Sequence, residues 1–261
     1  MDSILKTKLH NWAAQYNQPD FIKNDPILFP HRFKNKQDIE ISGFLSSWMS
    51  YGKREQILAK CEIVHQIIGN NPYEFIRKGP ASFVKIKKQT ELKDSRCTLY
   101  RFYTYEDLYQ LLCRLHSIYE QFESLEEAVI NIKEADPARK LSCLFEGVKG
   151  IPSLNGNSAR KRIAMFLRWM VRQDGIVDLG IWKKAASPKD LIIPLDTHVH
   201  RISIELGLTS RKDATWKTAE EITKTLAEIF PEDPCLGDFA LFGIGIQHTM
   251  DKQHIESYKV V

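Results

Sequence analysis

Between Pro194 and Arg201 the chain reads PLDTHVHR, placing an aspartate and two histidines within five residues, directly after the apolar run Leu191-Ile192-Ile193. Three chemistries suit such a cluster: metal ligation, capping of a helix, or one half of a catalytic pair whose other half lies elsewhere. Asp196, His198 and His200 stand at i, i+2 and i+4, a spacing that shares one face only on a strand. In a helix, i and i+2 point about 200° apart and cannot converge on one ion. Val199, Ile202 and Leu206 follow at helical spacing and Gly207 supplies a stop, so the segment predicts a helix with Asp196 as its N-cap. A capping carboxylate is held by the backbone it caps. That makes it a rigid base if a second group faces it.

The elements that must position Asp196 are mostly helical in pattern. Ile41, Phe44, Leu45, Trp48 and Met49 recur at i, i+3, i+4, i+7 and i+8 and predict an amphipathic helix over 38–51, broken at Gly52 and followed by a second helical run, REQILAKCEIVHQII. SFVKIKK and CTLYRFYTY, within 82–104, are β-rich in composition and predict short strands or extended loop. Thr104 with Asp107 and Ser124 with Glu127 have capping-box spacing, and Asp136-Pro137 opens a further helix. Asn155-Gly156-Asn157-Ser158 is a turn signal, and the helix after it carries Ile163, Phe166, Leu167 and Met170 on one side. Helices are also predicted around TWKTAEEITKTLAEIF and LGDFALFGIGIQ. The fold class expected is all-α with at most a minor β element.

Composition narrows the function. The chain has 261 residues, 43% apolar and 27% charged, as in ordinary globular proteins. It has no run of 18 apolar residues, so no membrane span is expected. MDSILKTKLHNW lacks a secretory h-region, so a cytoplasmic location is expected, on the nucleoid if the source is bacterial. Cys61, Cys97, Cys113, Cys143 and Cys235 lie far apart, which argues against structural zinc or a cysteine-held cluster and predicts buried free thiols. The net charge is only +4, but from Arg139 to Arg172 there are eight basic residues and a single acid, Glu146. Such a one-sided stretch points to phosphate contacts.

Two segments then carry a resemblance. PLDTHVHRI resembles the aspartate motif of the helix-hairpin-helix (HhH-GPD) DNA glycosylase superfamily, and NGNSARKRIAMFL resembles its hairpin and the helix after it. The chain as a whole is most similar to a bacterial family related to these glycosylases, with spacing like that of the archaeal 8-oxoguanine enzymes. The resemblance covers roughly 38–245, with the specificity in those two segments. It implies a two-lobed α-helical fold, with one lobe at about 36–175 and the other formed by 1–35 plus 176–261. It assigns Lys161 as the Schiff-base lysine and Asp196 as the catalytic aspartate. ISGFLSSWMSY followed by Gly-Lys-Arg is similar to the helix whose end enters the DNA stack. DNA contacts are accordingly expected from Tyr51, Gly52, Lys53 and Arg54, and from Asn155, Gly156, Asn157, Ser158, Arg160 and Arg162. The implied partner is double-stranded DNA with a damaged base, an oxidised purine by the spacing, or an abasic site; no cofactor or metal is implied.

Three features depart from the pattern. The glycine-rich hairpin is Asn-Gly-Asn-Ser-Ala here, so its N–H contacts to phosphate are not given. Lys161 and Asp196 are 35 residues apart, longer than in the endonuclease III type, which places an insertion at about 173–192. The four cluster cysteines of that type are absent.

The chemistry suits the residues. Breaking an N-glycosidic bond builds positive charge on the sugar, which a fixed carboxylate stabilises. A nucleophilic lysine must first lose its proton, and bringing it from about 10.4 to near 7 takes roughly 4–5 kcal/mol. Burial, Arg160, Arg162 and the positive helix end favour that loss, while Asp196 opposes it and accepts the proton. A base leaving the stack needs a pocket. Trp48, Trp169 and Trp182 are candidates to line it or fill the gap, although aromatics at helical spacing mostly pack in cores. Phe239, Phe242 and Gln247 come from the last helix. His198 is expected beside the site or in the core, and His200 on the surface. Two alternatives stay open: a DNA-binding module without catalysis, and a metal-dependent hydrolase using Asp196, His198 and His200.

Overall fold

The computed structural model describes residues 3–91 and 97–245. Its elements are α1 (Ser3–Tyr16), α2 (Asp20–Lys23), α3 (Lys36–Met49), α4 (Arg54–Ile68), α5 (Pro72–Arg77) and α6 (Val84–Thr90). A hairpin of β1 (Thr98–Tyr100) and β2 (Tyr103–Thr104) leads to α7 (Tyr105–Tyr119), α8 (Leu125–Ile130) and α9 (Pro137–Leu144). After a long turn come α10 (Lys161–Val171), α11 (Thr197–Glu205), α12 (Trp216–Ala227) and α13 (236–245). The fold is all-α with one two-stranded antiparallel ribbon. No helix among the described residues is long and apolar enough to cross a membrane.

Helix α3 is the axis of the fold. Its pattern predicts one apolar face, yet every residue from Asp38 to Met49 is buried. The second face is rich in serines, most of whose hydroxyls are satisfied on burial: Ser47 donates to the Phe44 carbonyl, Ser50 to that of Ser46, and Ser42 pairs with His65, while the Ser46 hydroxyl is buried without a partner among the described residues. Gly43 lets α10 approach closely. A Cβ there would lie 2.8 Å from the Met170 Cε. Phe44 then packs edge-on to Phe166, with ring centroids 5.2 Å apart, and stacks on Phe145 at 3.9 Å.

The predicted caps are present. Thr104 and Asp107 form a capping box, Ser124 accepts from the Glu127 N–H, and Asp136 accepts from Ala138 and Arg139 with Pro137 behind it. SFVKIKK is not extended. It lies in a 3-10 turn and α6, because Phe83 and Ile86, three residues apart, bury together while Lys85, Lys87 and Lys88 stay exposed. The strand expectation holds for CTLYRFYTY, which supplies β1 and β2. The five thiols are free, but only Cys61 and Cys235 are fully buried.

The segment predicted as an insertion has an irregular path fastened by two carboxylates. Glu40, fully buried on α3, accepts from the Trp182 indole N–H at 2.7 Å, and also from Tyr119, Leu125 and Glu126. Glu126 accepts from three consecutive backbone N–H groups, those of Lys183, Lys184 and Ala185. Pinned there, the chain runs through Pro188–Asp190 to the start of α11.

Candidate functional site

Asp196 is the N-cap of α11, and its Oδ1 accepts from the N–H groups of His198 (2.9 Å) and Val199 (2.8 Å). Its other oxygen, Oδ2, lies 3.1 Å from the Nζ of Lys161, the first residue of α10. The turn before α10 aims that lysine. Arg160 sits in the left-handed region, φ 51°, a conformation unfavourable to a side-chain residue. Its guanidinium holds the turn in place by donating to the Ser142 hydroxyl and to the carbonyls of Ser153 and Leu154. The chain thus reverses at Arg160, and Lys161 points at Asp196. Both members of the pair keep about a third of their side-chain surface exposed, 36% and 34%.

Burial pushes the Asp196 carboxyl up, but the Lys161 ammonium and the two backbone N–H groups outweigh it, so the group sits below the ordinary aspartate range. Asp196 therefore faces the site as a carboxylate.

Lys161 and Asp196 stand at the seam of two cavities. The inner one, about 380 Å³, runs between the start of α4 and α10 on one side and α11 and α13 on the other. Phe21, Phe239 and Phe242 form its aromatic wall, with Phe21 edge-on to the other two at 5.1 and 5.2 Å. Arg54 reaches over the Phe242 ring, 4.9 Å from its centroid, and its guanidinium lies 3.8 Å from Asp25. His198 also lines this cavity, seated against α13, where a Cβ at Gly245 would lie 1.6 Å from its Nε2. The FGIG segment is helical, its glycines making room for Tyr16 and His198. The outer cavity, about 490 Å³, opens past Tyr51, Gly52, Arg101, Ser158 and Arg162.

Two further carboxyls face the inner cavity. Burial raises Asp25, against the pull of Arg54. Burial also pushes Asp238 up to about 6, although Arg168 ion-pairs with it. The sequence reading missed both, along with Phe21 and Arg101. Asp238 did leave a signal, since an acid inside the otherwise apolar LGDFALF must find a buried partner. Asp25-Pro26 reads only as a cap, which it also is, accepting from the Ile27 N–H.

The other expected site residues divide sharply. Tyr51, Gly52, Lys53 and Arg54 are on the surface at the α3–α4 turn. Asn155, Asn157 and Ser158 are exposed too, but Gly156 spends its N–H on the Ser153 carbonyl, and Asn157 and Ser158 are tethered to Trp216 and Thr215. Arg160 is buried. Arg162 is half-buried and bonds the Trp48 carbonyl (3.0 Å), the Gly150 carbonyl and the Tyr103 hydroxyl. Both arginines direct their donors into the protein, so the expectation that they bind phosphate is not matched by their positions. Trp48, Trp169 and Trp182 are buried to within 1% and line neither cavity. Trp48 donates to the Lys149 carbonyl and Trp182 to Glu40, so they anchor the core rather than a base pocket. His200 is not on the surface but buried, its Nε2 on the Arg211 carbonyl at 2.9 Å. With His200 turned away, the three residues of the hydrolase alternative do not converge. Among the described residues no three His, Cys, Asp or Glu form a ligand set. Gln247 lies outside the described residues.

A family model described as a protein of unknown function (DUF2400) matches residues 25–247, and the chain belongs to that family. No curated protein and no solved structure matches it.

Proposed function

We propose that this member of the DUF2400 family is a DNA glycosylase with lyase capacity, using Lys161 as nucleophile and Asp196 as its partner. The observation that carries the reading is the Lys161–Asp196 pair itself. Two helix N-termini, 35 residues apart in sequence, deliver an amine and a fixed carboxylate to 3.1 Å at the mouth of an aromatic cavity. A volume of about 380 Å³ falls within the roughly 300–1,000 Å³ of small-molecule sites and accommodates one nucleobase. A base turned out of a duplex would enter against Phe239 and Phe242, leaving its sugar at the seam.

Chemistry follows from the placement. Asp196 takes the Nζ proton, and the freed lone pair attacks C1′ as the C1′–N bond breaks. The bonding pair leaves with the base, which takes up a proton. Charge growing on the sugar faces the Asp196 carboxylate. The covalent amine then opens the sugar to a Schiff base, the species a lyase requires. The half-exposure of Lys161 suits this role, since a substrate must reach Nζ.

Borohydride trapping tests it. Duplexes carrying an abasic site, 8-oxoguanine or uracil are incubated with the protein and reduced; a covalent complex is expected, and Lys161→Gln abolishes it. A trapped band that survives in the variant would remove Lys161 from the role. Base release without trapping would replace it by water as nucleophile, and duplex binding with neither would leave a non-catalytic DNA-binding module.

A further inference from the structure

The β1–β2 hairpin ends beside the outer cavity in a tip that neither the core nor the Lys161–Asp196 pair requires. Its turn residues are Arg101 and Phe102. Arg101 holds φ 53°, one of only two side-chain residues at positive φ among those described, the other being Arg160, which aims Lys161. Phe102 is 43% exposed and meets Tyr51, itself 49% exposed, edge to face at 5.2 Å. The Arg101 guanidinium lies over the Tyr51 ring, 5.5 Å from its centroid, and over Tyr100 at 5.9 Å. The cluster is fixed to the body of the protein. Tyr100 donates its hydroxyl to the Tyr51 carbonyl at 2.7 Å, and Gly52, at φ 102°, leaves the space the guanidinium occupies: a Cβ there would lie 2.6 Å from Arg101.

Two large aromatics exposed side by side, with an arginine across one face, have the composition of a stacking platform for nucleobases. Tyr103 is fully buried against Trp48, whereas Phe102, in the turn before it, leans on the Tyr103 ring at 4.5 Å and keeps 43% of its surface exposed. Tyr51 and Arg101 share the outer cavity with Lys161 and Asp196, so whatever stacks here adjoins the reacting sugar.

We propose that the hairpin tip, Arg101 and Phe102 with Tyr51, is a binding site for a nucleobase left unstacked where the duplex opens, with Arg101 holding the adjacent phosphate. This deepens the glycosylase reading and rests on it for the identity of the strand. The base is either the one opposite the extruded nucleotide or its neighbour on the same strand.

The test is equilibrium binding by anisotropy, comparing an intact duplex with one carrying a stable abasic analogue, for wild type, Phe102→Ala and Phe102→Trp. Phe102→Ala is expected to weaken binding to the abasic duplex about tenfold, in line with one lost base–aromatic stack, with the intact duplex little changed; Phe102→Trp restores it. Placing 2-aminopurine opposite the abasic position or beside it tells the two sources apart, since emission at the stacked position rises in Phe102→Ala. Equal affinities of wild type and Phe102→Ala for the abasic duplex overturn the proposal, as does an equal loss on both duplexes. Failure here with Lys161 trapping intact leaves the catalytic reading standing. A Phe102-dependent preference without trapping removes catalysis and keeps the platform. No binding to either duplex overturns both.

Discussion

The two ends of α10 hold the same kind of side chain in opposite circumstances. At its start, Lys161 makes one ion pair among the described residues, with Asp196, and both groups remain about a third exposed. At its end, Arg168 and Arg172 are 4% and 2% exposed and surrounded by acids: Arg168 pairs with Asp178 and Asp238, Arg172 with Asp174, Asp178 and Asp233. Burial works against both arginine charges, but Asp178 and its fellow carboxylates outweigh it and hold both above their ordinary values. The lesson concerns how a basic stretch is read. A cation whose guanidinium bonds mainly to groups inside the protein holds the fold together; one with a single ion-pair partner among the described residues and an open side can be reached from the cavities. Of the basic residues around α10, Arg160, Arg162, Arg168 and Arg172 belong to the first kind, and Lys161 belongs to the second.

Breaking the buried end should have the largest effect. Arg172→Ala leaves Asp178, which has no exposed side-chain surface, with Arg168 as its remaining ion-pair partner and takes the guanidinium from Asp174 and Asp233, and is expected to cost about 3–5 kcal/mol of unfolding free energy, measured by denaturant titration. A loss below about 1 kcal/mol would mean that water replaces the guanidinium and that the cluster is not the anchor described.

The pH dependence of the two cavity carboxyls should run in opposite directions. Asp238 is raised to about 6, so the folded state holds its proton more tightly than the unfolded chain does between about 4 and 6. Measured against Asp238→Asn, the wild type therefore loses stability as pH rises through that window, and the loss is complete above it. Asp196 is lowered, so its contribution is present above the unfolded aspartate value near 4 and disappears as pH falls through its folded value. Unfolding free energies of wild type, Asp238→Asn and Asp196→Asn across pH 3–7 would show the two slopes. Slopes of the same sign would mean that Arg168, not burial, governs Asp238.

The smallest effect on stability is expected where the proposed chemistry is concentrated. Lys161→Gln breaks a half-exposed pair, a class of contact that contributes about 0–1 kcal/mol, so its melting curve should nearly overlay that of the wild type. A large destabilisation would place Lys161 with the structural arginines and would sharpen the contrast in the opposite sense.

Much of this was legible locally. Asp196 as a cap followed from Pro194, the helical spacing of Val199, Ile202 and Leu206, and Gly207, because a helix end must satisfy its own N–H groups within a few residues. The caps at Thr104, Ser124 and Asp136 were readable for the same reason. The partition of the basic residues was not. Arg160 and Lys161 are neighbours in the chain with opposite fates, decided by a left-handed turn whose donors reach Ser142, Ser153 and Leu154. His200 looked exposed until Arg211, eleven residues on, brought a carbonyl to it.

The all-α class, most of the helices and most of their ends were legible in the residues alone, since these depend on contacts three or four residues apart; Lys161 and Asp196 were singled out by resemblance. Long-range packing is what brings Lys161 and Asp196 together, sets Phe21, Asp25 and Asp238 around the same cavity, and keeps the three tryptophans out of it. Those outcomes depend on contacts between residues tens to hundreds of positions apart, among them the fastening of 182–185 by Glu40 and Glu126. No local periodicity encodes a distance of that kind.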